Sequence, residues 1–441
     1  MRTDAPRRVA VIGSGISGLS AAYRLADDAH VTLFEAGDYF GGHTHTVDVE
    51  VDTPAGRMQH GVDTGFLVYN ERTYPKLIAL FAELGVTTAE SDMSFSVKAS
   101  DPHLEWSGSS LNALFADRSN LVRPSFWRML RDIDRFNRLC TAMAKTAVGP
   151  STDQTIGEFL DAHAFSAAFR EGYFLPMIGC IWSCPTEQML AFPVATMIRF
   201  CHNHGLIQWV QRPRWFTVVG GARQYVAKLL ERIPDARLRT PVRRVRRLPG
   251  FDRGGVLIDT DAGTEAFDDV VLACHSDESL ALLADPSADE RAVLGAVRYH
   301  PNRAVLHTDT SVLPRRQRAW AAWNYERAAV GSGREQAAVC LHYLINRLQP
   351  LPFEVPVIVT LNPLREPRAG TVQGDYAYSH PVFDRDAIAA QQRLPSLQGV
   401  RNTWYCGAWT RYGFHEDGLM SGLAVVEGLR AQWAQARLAA A

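Results

Sequence analysis

Val9-Ala10-Val11-Ile12-Gly13-Ser14-Gly15-Ile16-Ser17-Gly18, followed by Val31-Thr32-Leu33-Phe34-Glu35, decides the fold. A run of four apolar residues suits a strand buried on both faces. Leu19, Ala22, Tyr23, Leu25 and Ala26 then recur at helical spacing. Between them Gly13, Gly15 and Gly18 stand in GxGxxG order. The first glycine permits a tight turn, the second lets backbone approach a pyrophosphate, and the third brings helix and sheet close together. The N–H groups of that turn and helix start, through Ile16 and Ser17, face phosphate charge. Glu35, at the end of the next strand, is placed to accept bonds from an adenosine ribose. The reading is a βαβ unit that holds a dinucleotide; a glycine-rich packing turn is the plain alternative.

Outward from this unit come Gly41-Gly42-His43, an alternating stretch Thr46–Val51, and an acid–glycine element Asp63-Thr64-Gly65-Phe66. Helical stripes follow at 74–84 (Leu77, Leu80, Phe81, Leu84) and 125–145 (Trp127, Leu130, Ile133, Phe136, Met143). Thr155 and Glu158 have capping-box spacing. Strand-like runs return at 242–246, 256–259 and 270–273, then at 300–365. Trp404-Tyr405-Cys406-Gly407 leads into a loop to Gly418 and a final amphipathic helix. The sequence therefore predicts an α/β chain with a Rossmann-like nucleotide-binding domain in three pieces, 1–70, 215–280 and 395–441. A mainly helical insertion, 71–214, and a β-rich substrate domain, 281–394, interrupt it.

Charge is balanced, with Lys+Arg 46 against Asp+Glu 47 and a net charge of −1, so no global basic field points to nucleic acid. Seven scattered cysteines with no CxxC pair fit reduced thiols and a cytoplasmic protein. No apolar run reaches the ~18 residues of a membrane helix. Arg7-Arg8 precedes a glycine turn rather than a cleavable apolar segment.

The glycine fingerprint, the strand-end Glu35, Gly41-Gly42, Val219-Gly220-Gly221 before a helix, the 270–273 strand and the C-terminal glycine loop together resemble the FAD-dependent amine oxidase and protoporphyrinogen oxidase superfamily. His43-Thr44-His45-Thr46, Ile181-Trp182-Ser183, Asn203-His204-Gly205-Leu206 and Gly413-Phe414-His415-Glu416-Asp417-Gly418 further resemble a bacterial group of NAD/FAD-binding oxidoreductases. The resemblance runs nearly end to end and implies a glutathione-reductase-type FAD domain. It implies Gly13, Gly15, Ile16, Ser17 and Gly18 at the pyrophosphate and Glu35 at the ribose. Gly41, Gly42, His43 and Gly65 would lie along the cofactor and Val242 beside adenine. The segment Gly407, Ala408 to Gly418 and Leu419 would run past the ribityl chain toward the flavin ring. Members usually carry an acid after the glycine at 407, whereas this chain has Ala408. FAD is expected to bind noncovalently, since no spacing around Cys406 supports a covalent link.

Amine oxidases of this superfamily commonly place a lysine near flavin N5, on a strand equivalent to 300–307. Here that stretch reads His300-Pro301-Asn302-Arg303-Ala304-Val305, which argues against an ordinary amine oxidase. His415 is the candidate proton carrier, by its reference pKa; holding the loop is its structural alternative. His300 and Asn302 are candidates for polar contact with substrate. Trp182, Phe192, Trp209, Trp215, Trp323 and Tyr325 could line an apolar channel, although each also suits ordinary core. Cys180, Cys184 and Cys201 lack zinc spacing, so no metal is expected. The run Arg243-Arg244, Arg246-Arg247 is read as a solvated face, with an anionic headgroup or acyl carrier as the alternative partner. The expected activity is hydride removal from a hydrophobic small molecule or acyl group, since the narrower group is linked to modified fatty acids; a membrane surface is a possible partner. Rival readings are an amine or cyclic terpenoid oxidase, a flavin-dependent isomerase, and a non-catalytic lipid and protein binder like the GDP-dissociation inhibitors.

Overall fold

Val9, Ala10 and Val11 are fully enclosed at the centre of a five-stranded parallel sheet. In this computed structural model residues 6–101, 103–145, 154–208, 212–248, 255–328 and 339–439 are described. The sheet runs in the order Asp235–Arg237, β2 (Ala29–Phe34), β1 (Arg7–Ile12), Asp269–Leu272, Thr403–Tyr405, and every pairing is parallel. Its strands come from three segments far apart in sequence, as an interrupted α/β unit requires. One face is covered by α1 (Ile16–Leu25). The other face, through Ala10, Ile12 and Phe34, packs on an antiparallel meander of Val242–Arg247, Val256–Thr260 and Gly263–Phe267.

Helix α2 (Pro75–Leu84) stops at Gly85, whose φ of 61° is left-handed. Helix α3 (Pro124–Lys145) buries Phe126, Met129, Ile133 and Phe136 on one stripe. The capping box at Thr155 and Glu158 forms in full. Helix α4 (Val194–Asn203) packs against α3, and α5 (Arg223–Leu230) follows the Gly220-Gly221 turn. A seven-stranded sheet holds β4 (Val372–Val382) beside β3 (Arg298–His307), then Ile358–Leu361, Cys340–Leu344, Trp323–Arg327, Phe95–Ser100 and His103–Ser107. With the helices of 124–203 it encloses the largest core.

Two features differ from the sequence reading. The segment 71–214 is not only helical: Phe95–Ser100 and His103–Ser107 complete the seven-stranded sheet, Phe95–Ser100 running parallel to Trp323–Arg327. Val97 and Trp106 of this hairpin are buried in the core, so the two insertions share a sheet. The loop expected to reach Gly418 ends earlier, because α6 (His415–Leu438) begins at His415. Asp417 accepts the Phe414 N–H and caps that start.

Candidate functional site

The turn after β1 is set by glycine. Gly13 has φ +101°, and a Cβ there would stand 2.9 Å from the Ala273 carbonyl oxygen. A Cβ on Gly18 would fall 1.9 Å from the Gly13 oxygen, so α1 lies closer to the turn than any side chain allows. Gly15 differs: nothing lies within 4 Å of its Cβ position. It is the N-cap of α1, with no side-chain cap and no acid in the first turn. Gly42 closes on it from the next loop, its Cβ position 3.1 Å from the Gly15 Cα. The outcome is an open, side-chain-free cradle at the positive end of a helix, with a form that receives a pyrophosphate.

Glu35 accepts the Ser14 N–H at 3.0 Å, the Ser14 hydroxyl and the Gly37 N–H at 2.8 Å. Ser14 Oγ in turn accepts the Gly41 N–H at 3.1 Å. Glu35 thus binds the two glycine turns to each other, a duty that the sequence did not reveal. Gly65 is pressed onto His43, its Cβ position 2.2 Å from the His43 oxygen, and the Phe66 N–H donates to that oxygen at 2.7 Å. Val242 is buried in the core between sheet and meander. The Gly407 N–H donates to Ser421 Oγ at 2.9 Å, and the Ala408 carbonyl accepts the Gly413 N–H at 3.1 Å. Gly418 and Leu419 are helical. A Cβ on Gly418 would meet Ile16 at 2.8 Å and one on Gly422 would meet the Ser17 oxygen at 2.4 Å, while Leu419 is core. Gly418 and Gly422 thus let α6 seat closely against α1 beside the cradle.

His415, at the first turn of α6, stacks on Phe66 with ring centroids 3.8 Å apart. Its Nε2 pairs with the Tyr225 hydroxyl at 2.7 Å and the Thr44 hydroxyl at 3.2 Å, and Thr44 and Tyr225 also bond to each other. Burial pushes the imidazole down to about 3. Burial thus favours the neutral ring, whose Nε2 is held between the two hydroxyls. Glu416 accepts the Lys76 and Leu77 N–H groups at 2.8 and 2.9 Å, fastening α6 to the start of α2. Asp63 accepts the Ala222 N–H, the Thr46 hydroxyl and the Gln349 amide, and burial still raises its carboxyl to about 7.

His300 and Asn302 meet a cluster assembled by register. His300 on β3 pairs with His380 on β4. Asn302 Nδ2 donates to His380 Nδ1 at 3.2 Å, and its Oδ1 accepts from Asn362 at 2.7 Å. The His43 ring lies 5.4 Å from His380, 5.2 Å from Tyr378 and 6.3 Å from His275. The Nε2 atoms of His43 and His300 are buried without a partner. Burial drives His43 well below its ordinary value and His380 down to about 4. His275, Tyr378 and His380 were missed from sequence. The signal for two of them was period-two spacing: Tyr376, Tyr378 and His380 share one strand face.

A cavity of about 350 Å³ opens between the helical segment and the residues around 383–412. Trp182, Phe192, Met197, Phe383 and Ile388 supply its apolar wall, and Arg199 and Arg411 its charge. Neither arginine forms an ion pair among the described residues, although Arg411 is near enough to buried Asp417 to favour that carboxylate. Phe200 joins the cavity to the loop before His415, its ring 4.9 Å from Trp182 and 4.8 Å from Phe414. Of the other expected channel residues, Tyr325 is core, Trp323 packs on Tyr343 and Trp215 on His204. Trp209 lies outside the described residues.

Cys180, Cys184 and Cys201 are free, buried thiols pushed upward by burial. Glu326, Cys340 and His342 converge among the described residues, but Lys98 pairs with Glu326 at 2.9 Å and His342 Nε2 itself pairs with Glu326 at 3.0 Å. The arginine run is largely neutralised: Arg243 pairs with Asp261, Arg246 with Asp259, and Arg247 with Glu290 and Asp285.

A coproporphyrinogen III oxidase of Mycobacterium leprae is 26% identical to this chain over 300 residues, covering 63% of this chain and 61% of that protein. A carotenoid phi-ring synthase of Streptomyces griseus is 28% identical over 330 residues, covering 68% and 58%. The matched part is thus about three-fifths of each relative's length. A fatty acid isomerase from P. acnes shares the fold, with a TM-score of 0.64 at 15% identity over 96% of this chain and 98% of that one. The family model of flavin containing amine oxidoreductases matches residues 16–333, most of the chain from the cradle helix into the seven-stranded sheet. The chain belongs to the flavin containing amine oxidoreductase family.

Proposed function

We propose that the protein is an FAD-dependent oxidoreductase of the cytoplasm that withdraws a hydride from a long apolar substrate with an anionic head, a fatty-acyl compound. The observation that carries this reading is the cavity: an apolar wall, two arginines with no ion pair among the described residues, and an aromatic path through Phe200 and Phe414 to His415. Such a lining suits a carboxylate-headed chain better than a cationic amine. The cradle residues fit the cofactor, since Gly15 opens onto free space and the first turn of α1 holds no competing acid. The buried, unpartnered Nε2 atoms of His43 and His300 likewise suit polar groups of a bound ligand. Noncovalent binding is supported by Cys406, which is fully buried with its thiol pushed up. Seven free cysteines support a reducing compartment.

Bound FAD supplies the hydride acceptor. The protein's own part is to hold the head at Arg199 and Arg411 and to exclude water with Trp182, Phe192 and Phe383. Tyr225 and Phe66 fix the His415 ring, and Asn302 orients His380. The related fatty acid isomerase and carotenoid synthase are, by name, proteins of apolar substrates. The neutral histidine cluster also favours a second reading, isomerisation of the same acyl substrate, because neutral imidazoles can relay a proton without gaining charge.

Anaerobic titration of the yellow holoprotein tests both. Long-chain free fatty acids should bleach the flavin, while their methyl esters do so weakly and amines do not. Product formed without net bleaching selects the isomerase. Bleaching by amines alone overturns the substrate class, and a protein that is colourless and takes up no FAD overturns the cofactor.

A further inference from the structure

Large apolar side chains left in solvent crowd one short stretch. Leu111 is 79% exposed, Leu121 47%, Val122 83% and Trp127 50%. Among the described residues the other large exposed apolar side chains, Val219, Val372, Val400 and Leu438, are scattered along the chain. Leu111 opens a short helix, Leu121 and Val122 end the turn Arg118–Val122, and Trp127 lies in the first turn of α3. Trp127 is held outward: its Nε1 donates to the Leu121 carbonyl at 2.9 Å, and its ring rests 5.6 Å from Phe115. A tryptophan so fixed offers its face to whatever covers it without loss of side-chain freedom on contact.

Arginine dominates the charge of this stretch. From 108 to 131 the sequence holds Arg118, Arg123, Arg128 and Arg131 against a single acid, Asp117. Asp117 is buried and already paired with His103 and Arg316. Arg118 and Arg123 bond only to uncharged acceptors, and Arg128 and Arg131 form no ion pair among the described residues. We propose that this face docks on an anionic lipid bilayer, with Leu121, Val122 and Trp127 entering the headgroup–acyl boundary and the arginines meeting lipid phosphates. Arginine stems add apolar length while their heads stay wet, and tryptophan favours the same depth. A second copy of the chain, docked through the same patch, would bring like charges together. A bilayer also suits the architecture. The inner face of α3 packs on α4, whose Met197 and Arg199 line the cavity, so the docking face and the cavity are built on adjoining helices. Among the described residues no helix is long and apolar enough to cross a membrane, and the proposed contact needs none.

Cosedimentation of the full chain with vesicles tests the proposal. Vesicles of phosphatidylcholine and phosphatidylglycerol in equal parts should pellet the protein, and phosphatidylcholine alone should not. Raised salt should release it. Val122→Asp, at a fully surface position, should abolish pelleting with unchanged thermal unfolding. Trp127→Ala should abolish it too, with a small loss of stability from its contacts to Phe115 and Leu121, and the pair Arg128→Glu and Arg131→Glu should weaken it about tenfold or more. Equal binding to both vesicles, or pelleting that survives Val122→Asp, overturns the proposal. So does a solution dimer that Val122→Asp converts to monomer, which would assign the patch to self-association.

Discussion

At the scale of single residues, the Tyr225 hydroxyl joins α5, the loop at Thr44 and the His415 ring. Tyr225→Phe removes a buried partner from both Thr44 and His415 while keeping the ring packed against Phe81. Thr44 and His415 then keep their 3.2 Å contact with each other, and the lost partner should lower the unfolding free energy by about 1–3 kcal/mol, read as a lower denaturant midpoint at unchanged slope. At the cavity, Arg199→Ala and Arg411→Ala alter exposed side chains and should leave stability within about 0.5 kcal/mol. On the proposed function they raise KM for free fatty acids with little change in kcat, the pattern of lost uniform binding; an unchanged KM in both would take the arginines out of head recognition. Individual residues were legible where their reason is local. Gly13 and Gly18 reveal themselves because the backbone there admits no side chain. His380 did not, because its partners His300 and Asn302 stand eighty positions away and meet it only through the register of β3 on β4.

At the scale of elements, the seating of α6 on α1 governs the cradle. Gly418 and Gly422, one turn apart, let the helices approach until Ser17 touches the α6 backbone. Gly422→Ala would place a methyl 2.4 Å from the Ser17 oxygen and 2.5 Å from Ser20 Oγ. Overpacking of this kind costs about 1–3 kcal/mol, and it displaces the helix packed beside the cradle, where the proposed function puts the cofactor. Both thermal stability and retained flavin should drop. Gly370→Ala, with nothing within 4 Å of its Cβ position, should leave both unchanged, and a Gly422→Ala protein indistinguishable from it would refute the seating argument. The elements nearest the glycine fingerprint were readable because strand, turn and helix there are each set by short-range pattern. The hairpin 95–107 was not: its residues pair in parallel with Trp323–Arg327, more than two hundred positions on. A six-residue alternation carries no mark of so distant a partner. The start of α6 was obscured in another way. Its cap, Asp417, lies inside the helix, and Gly418, which suggested a loop, is there for close packing.

For the whole molecule, buried titratable groups set the response to acid, and they oppose one another. His204, His307 and His380 are pushed down to about 4 and His415 to about 3, each chiefly by burial. A histidine whose folded pKa is depressed stabilises the fold above the unfolded value near 6.5, and that stability is lost as pH falls toward the folded value. Asp63, raised to about 7, and Asp417, raised to about 6, act in the other sense. Their burial penalty is relieved on acidification, so they favour the fold as pH drops from about 7 to 4. His43, His45, His60, His300 and His342 are lowered as well, and Asp269 and Glu416 raised. The lowered histidines thus outnumber the raised carboxyls, and the unfolded chain near pH 5 binds more protons than the folded one. Stability should therefore fall as pH drops from 6 to 4.5, by about 1.4 kcal/mol per pH unit for each excess proton. Below that window Glu290 and Glu326, both lowered to about 2 by their cationic partners, continue the loss in the same direction. Urea midpoints measured at half-unit steps from pH 7.5 to 4.5 would trace the slope. His415→Gln, which keeps a polar group beside Tyr225 but cannot titrate, should flatten it by about one proton's worth. A midpoint that rises on acidification through this range would mean that Asp63 and Asp417 outweigh the histidines.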